Sequence, residues 1–285
     1  MAMFVLSAFT DESSPSLSGQ IDAAVRNGLS HIELRQLDGK QAIEQPADKL
    51  KEAAHILAES GISVSALGSP IGKVDIDAPF SPHLEQFYRA VESAHLLHTD
   101  RIRMFSFFMP KGKEPMAYAS LVAERLNQMC DYAKREGVLC CHENEKDIFG
   151  DNAARSAYLL QNVPDLSFVF DPANCVQCGE VPQTLYNAVL PKLSYFHAKD
   201  ARKDGSVTPC GDGDGDVSAL IDRYAQTNAP RILSVEPHLF DFSGLSSLQT
   251  EALTHTTHDK TPEAAFDRAV RALKALLDEK GYSYE

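Results

Sequence analysis

The stretch Arg135-Glu136-Gly137-Val138-Leu139-Cys140-Cys141-His142-Glu143-Asn144-Glu145-Lys146 holds, in succession, a helix end, a joint, an apolar strand and a charged exit. The helical pattern predicted over Met116–Glu136 stops at Gly137. Glycine enters the left-handed conformation that closes a helix without a Cβ penalty. Val138–Glu143 then reads as a short strand, nearly continuous in apolar residues before its polar end. That is the composition of a strand covered on both faces, as in a parallel sheet.

The same unit recurs along the chain. Strands are predicted at Met3–Phe9, His31–Leu34, Ser63–Leu67, Arg101–Ser106, Val138–Glu143, Ser167–Asp171, Leu193–His197 and Ile232–Glu236. Helices are predicted at Leu17–Asn27, Ala47–Ser60, His83–Leu97, Met116–Glu136, Ala153–Gln161, Pro182–Val189, Val217–Thr227 and Pro262–Lys280. Gly28 and Gly61 close the first two as Gly137 closes the fourth. The segment 240–260, rich in Ser, Thr and His, reads as a long loop. Eight strand–helix units in 285 residues predict an α/β fold, a single-domain (β/α)8 TIM barrel spanning 1–285. The competing doubly wound sheet lacks support, because Thr10-Asp11-Glu12-Ser13-Ser14 stands where a dinucleotide-binding glycine motif would follow the first strand.

Composition narrows the function. A net charge of −13 with no basic stripe argues against nucleic acid as a partner. The apolar runs are strand-sized, too short for a bilayer, and Met1–Ser14 lacks the basic start of a signal peptide, so no membrane partner and a cytoplasmic location are expected. Six cysteines in a chain this long do not form a disulfide framework. Cys175-Val176-Gln177-Cys178 is a lone C-x-x-C without a second pair, short of a zinc site.

The chemistry gathers at the predicted strand ends, where barrels of this kind build their active sites. The fifth strand ends in His142-Glu143, the sixth in Asp171, the seventh in His197, and the eighth in Glu236. With two-residue alternation, Glu143, Asp171, His197 and Glu236 all point to the barrel axis. Three carboxylates and an imidazole that converge there need a countercharge, and a divalent ion supplies one. Mixed oxygen and nitrogen ligation suits Mn, Zn, Mg or Co without selecting among them. Glu145 is a possible substitute for Glu143, since a two-residue slip keeps the face.

Several motifs at these ends, namely 142–146 (His-Glu-Asn-Glu-Lys), 170–174 (Phe-Asp-Pro-Ala-Asn), 196–200 (Phe-His-Ala-Lys-Asp), 209–213 (Pro-Cys-Gly-Asp-Gly) and 234–238 (Ser-Val-Glu-Pro-His), resemble the sugar isomerase/epimerase family with the xylose-isomerase-like barrel. The resemblance runs from Ile32-Glu33-Leu34-Arg35 to the last helix. It implies metal ligation by Glu143, Asp171, His197 and Glu236, and an enediolate formed next to a carbonyl of a small-molecule carbohydrate. It assigns proton removal and return to Glu143 and Glu236, and substrate contacts to Lys199, Asn174, His142 and His238. It leaves open a dehydratase acting on an inosose-like or keto-polyol substrate, and, in another class, a non-catalytic carbohydrate-binding barrel. The related endonucleases carry a His three residues after the sixth-strand Asp, where this chain has Asn174. A homodimer through helical faces is expected from the fold, with no particular residue to carry it.

Smaller expectations complete the reading. Glu33 and Arg35 end the second strand and are predicted to pair or to touch substrate. Gly68–Lys73 reads as a tight loop with Lys73 a candidate for an anionic group, and Phe105, Phe107, Phe108 and Met109 as an apolar wall. Gly211–Asp216 lacks the EF-hand pattern and reads as a flexible turn with Asp216 capping the next helix.

Overall fold

The computed structural model describes residues 3–241 and 254–285. Eight parallel strands form the sheet: β1 (Met3–Ala8), β2 (His31–Leu34), β3 (Ser63–Gly68), β4 (Arg101–Met104), β5 (Leu139–Glu143), β6 (Leu166–Phe170), β7 (Leu193–Ala198) and β8 (Ile232–Val235). Spatial order runs β1-β8-β7-β6-β5-β4-β3-β2, and the two end strands also lie against each other. Ser7 of β1 and Ser65 of β3 meet across the interior, Oγ to Oγ at 2.7 Å, and Ser65 donates to the Ile32 carbonyl of β2. A ninth strand, β9 (Ser283–Tyr284), pairs with the start of β1. The TIM barrel is therefore as the repeating unit predicts.

Helices cover the outside: α1 (Leu17–Arg26), α2 (Ala47–Glu59), α3 (Phe80–Leu96), α4 (Ala119–Arg135), α5 (Ala153–Asn162), α6 (Pro172–Gln177), α7 (Pro182–Val189), α8 (Val217–Tyr224) and α9 (Pro262–Glu279). Gly28, Gly61 and Gly137 all have positive φ at the expected joints, at 58°, 71° and 73°. Two helix starts are among the departures from the sequence reading. Helix α3 starts three residues early, because Pro82 falls in its first turn, where a missing N–H is harmless. Helix α6 was not foreseen; it starts at Pro172, directly on the exit of β6. Of the loop expected at 240–260, residues 242–253 lie outside those described.

Strand alternation produces two apolar layers. Side chains such as Cys140, Phe168 and Phe196 face outward into the main core under the helices. Ala66, Cys141, Val169, Tyr195 and Ile232 pack inside the barrel. Adjacent Cys140 and Cys141 thus belong to different layers, and all six thiols are free. Above the inner apolar layer, toward the strand C-termini, the inward positions turn polar, and the site begins there. Among the described residues no helix is long and apolar enough to cross a membrane.

Candidate metal centre

Glu143 is the last residue of β5, Asp171 follows β6, His197 lies in β7, and Glu236 follows β8. Each offers one ligand atom, and those atoms lie within 4.8 Å of one another, with all four residues buried. His197 Nδ1 stands 3.3 Å from Glu143 Oε1, 3.7 Å from Glu236 Oε2 and 3.9 Å from Asp171 Oδ2. Asp171 is divided in its duties. Its Oδ1 accepts the Asn174 backbone N–H at 2.8 Å and so caps α6. Its Oδ2 is buried and has no hydrogen-bond partner among the described residues.

An unsatisfied buried carboxylate oxygen calls for a partner, and here it faces two more carboxylates and an imidazole nitrogen. Three hard oxygens and one imidazole nitrogen are a donor set that Mn, Zn, Mg and Co accept. The residues present therefore fit a divalent cation. The electrostatics agree. Burial, with Glu236 and Glu143 nearby, raises the Asp171 carboxyl to about 8 in spite of Lys199. Burial also works against Glu236, but Lys199, His238, His197 and Arg35 outweigh it and hold that carboxyl well below the ordinary range. His197 is pushed down by burial but held well above the ordinary imidazole range by Glu143 and Glu33. The chain alone balances this acidic cluster by keeping protons on it.

Fixed cations and amides hold the carboxylates in place. Lys199 Nζ donates to Glu236 Oε2 at 3.0 Å and to Asn174 Oδ1 at 3.2 Å, and lies 3.6 Å from Asp171 Oδ2. Asn174 in turn donates to Glu143 Oε1 at 3.1 Å. Arg103 Nε sits 3.2 Å from the other Glu143 oxygen. Arg35 spans Asp11 at 2.9 Å, Glu12 at 3.1 Å and Glu236 at 3.4 Å. His238 Nδ1 lies 3.3 Å from Glu12 and 3.8 Å from Glu236. Glu12, Glu236 and His238 also converge as a trio, but the Arg35 guanidinium already lies against both of its carboxylates.

Two expectations are corrected and a third is made specific. His142 does not reach the mouth: it faces outward, where Nε2 meets Ser106 Oγ at 2.9 Å and the ring packs edge-on against Phe168. Its neighbour Glu143 takes the inward position, and alternation sends His142 the other way. Burial among apolar groups lowers the His142 imidazole to about 3. Glu33 and Arg35 each pair across the interior, as expected: Glu33 faces His197, and Arg35 joins Asp11, Glu12 and Glu236. Glu145 is no substitute for Glu143, since its carboxylate pairs with Lys73 at 3.0 Å, and this also gives Lys73 an anion within the chain.

The glycine-rich segment has a defined task in place of flexibility. Asp200, just after Lys199, accepts backbone N–H groups from Ala201 and Gly215 at 2.9 Å, Gly213 at 3.0 Å and Gly211 at 3.1 Å. A Cβ on Gly213 would stand 2.3 Å from Asp200 Oδ1 and 2.6 Å from the Ala201 carbonyl oxygen, so the loop closes on this carboxylate only without side chains. Asp216 precedes α8 but its side chain makes no cap; it bonds Gln183. Of the predicted wall, Phe105 stacks with Lys73 and Arg103, while Phe107 turns toward Phe80 and His83. Phe9, not anticipated, packs edge-on against His197 and under Arg35. Asp11, Glu12 and Arg103 were also missed. Their signals were an acidic pair shortly after the first strand and arginines at alternate positions of the fourth, Arg101 and Arg103.

The family model described as xylose isomerase-like TIM barrel matches residues 21–276. Among curated proteins compared by sequence, none matches. Several solved structures share the fold. One is the probable 3-DHS dehydratase AsbF, involved in petrobactin synthesis, from Bacillus anthracis, with TM-score 0.72 and 16% identity over 94% of this chain and 98% of that one. The IolI protein with a bound zinc atom gives 0.73 and 15% over 96% and 98%. L-ribulose 3-epimerase gives 0.72 and 16% over 98% and 95%.

Proposed function

The chain belongs to the xylose isomerase-like TIM barrel family, and we propose that it is a divalent-metal-dependent isomerase or epimerase of a sugar or sugar derivative. The observation that carries this reading is the buried group Glu143, Asp171, His197 and Glu236, with one Asp171 oxygen left unpartnered among them. Those four residues would hold the ion, whose charge stabilises negative charge developing on substrate oxygens as a proton leaves the carbon beside a carbonyl. The names of the similar structures, an epimerase and a probable dehydratase among them, agree with proton chemistry of this kind.

The chain's own groups divide the rest of the work. Glu143 and Glu236 leave strands separated by β6 and β7, so they approach the mouth from two sides. One removes the proton and the other returns one to the opposite face. Arg103 orients Glu143, while Arg35 and Lys199 orient Glu236. Lys199 and Asn174 bind substrate hydroxyl or carbonyl oxygens, with His238 at the rim beside Glu12. Phe9 and Phe105 limit access of water to the reacting carbon.

The test begins with metal content of the purified protein beside Asp171→Asn. About one equivalent of Mn, Zn, Mg or Co in the wild type and much less in the variant is expected. Ketoses and inososes are then screened in heavy water. Exchange of deuterium into the carbon beside the carbonyl supports the proposal, and loss of water with a new ultraviolet absorbance reassigns the site to a dehydratase. No metal after soaking, with the fold intact and carbohydrate still bound, would leave a binding barrel instead.

A further inference from the structure

Glu33 lies on β2, across the barrel from β7, and is fully buried. It is the meeting point of three donors. Tyr195 Oη donates to Oε1 at 2.7 Å, Ser234 Oγ donates to Oε2 at 2.7 Å, and His197 Nε2 stands 3.2 Å from Oε2. A carboxylate only accepts, so the His197 nitrogen facing it carries the proton. With a hydroxyl donor on each oxygen, Glu33 is held as an acceptor toward His197. The ring is also held sideways, with Phe9 edge-on at 5.3 Å and Tyr195 at 5.5 Å. The imidazole therefore has one nitrogen turned to Glu33 and the other to Glu143, Asp171 and Glu236.

We propose that Glu33 is a positioning residue: it pins the proton of His197 on Nε2, so that Nδ1 presents its lone pair to the ion, and thereby sets how tightly the centre takes a divalent cation. The proposal rests on the metal-centre reading given above. A carboxylate behind a ligating imidazole fixes the tautomer, restricts ring rotation and makes the ligating nitrogen a stronger donor. Glu33 is the group placed to do this, because it reaches His197 from below the mouth and is itself anchored at both oxygens. A purely structural carboxylate would leave the zinc affinity unchanged on replacement by its amide; a positioning one would not.

The experiment uses the full chain, stripped of metal and titrated with zinc alone. In zinc-loaded wild type with labelled histidine, long-range proton–nitrogen correlation is expected to place the His197 proton on Nε2. By calorimetry, Glu33→Gln is expected to bind zinc roughly 10- to 100-fold more weakly. Tyr195→Phe, which removes one donor to Glu33 but leaves the contact with His197, is expected to change the affinity by less than about threefold. A proton on Nδ1 in the wild type overturns the proposal, even if Glu33→Gln does not fold. So does Glu33→Gln binding zinc within about twofold of wild type while His197→Ala loses it; that result spares the metal centre and removes Glu33 from it. Wild type that takes up no zinc overturns the metal-centre reading, and this proposal with it.

Discussion

Asp200→Asn is the substitution whose effect follows most directly from the coordinates. The wild-type carboxylate receives two backbone N–H groups on Oδ1, from Ala201 and Gly215, and two on Oδ2, from Gly211 and Gly213. Asparagine has the same shape but must put an amide nitrogen at one of those positions. Two N–H donors then face a donor. Each bond to a charged acceptor contributes about 1.5–3 kcal/mol, which sets the loss at about 3–6 kcal/mol. The amides of Gly211 and Gly213 are only partly buried, so water offsets some of this and a loss of about 3 kcal/mol is expected if they are the pair left facing it. In a chain of 285 residues that corresponds to a fall in melting temperature of roughly 6–9 °C. Denaturant unfolding of Asp200→Asn beside Asp212→Asn is the assay, since Asp212 is exposed and its loss removes the same charge. A loss below about 1 kcal/mol for Asp200→Asn, or an equal loss for Asp212→Asn, would refute the reasoning.

Further outcomes follow from the same contacts. Because folded Asp171 is raised to about 8 and His197 is held above its ordinary value, each contributes stability that is full at low pH and lost as pH rises through the folded value. The metal-free chain should melt lower as pH rises from about 6 to 9, and a divalent cation should raise melting more at the alkaline end; a flat profile by calorimetry counts against this. Zinc binding near pH 7 should expel about one to two protons, read by titration in buffers of different ionisation enthalpy, and no buffer dependence contradicts it. Lys199→Met removes an ammonium 3.0 Å from Glu236, so metal affinity should rise about tenfold while turnover falls; weaker metal binding would show that the ammonium does not oppose the ion. Gly150→Ala would place a Cβ 2.4 Å from His142 Cε1, so stability should drop by about 1–3 kcal/mol with zinc affinity unchanged, and a change in affinity would return His142 to the mouth.

The four candidate ligands were legible because each lies at or beside a strand end, and strand parity tells which side a residue faces. The same parity rule forbids His142 and Glu143 from sharing the mouth, although the two are neighbours in one motif. Depth along the barrel axis was not legible. Parallel strands are staggered, and only the folded register brings Tyr195, Ser234 and His197 to Glu33 from two distant strands. The role of Arg35 was hidden for a related reason. Its partners Asp11 and Glu12 come from the other end of the strand order, and no local spacing marks that closure. Gly211–Asp216 showed the glycines and acids of a cation loop, yet the charge it encloses is an anion, Asp200. Composition identifies a loop able to wrap a charge without revealing the sign of that charge.

The divided carboxylate of Asp171 limits how this barrel can be redesigned or can drift. One oxygen begins α6, and the other is left for the site. Replacing Asp171 by histidine or cysteine to favour a softer ion would also remove the cap from a helix that carries Asn174. The candidate ligand set is therefore tied to the scaffold at Asp171 and more adjustable at Glu143 and Glu236. A lineage, or an engineer, seeking a different ion has freer choices at Glu143 and Glu236, whose partners are side chains that can change along with them.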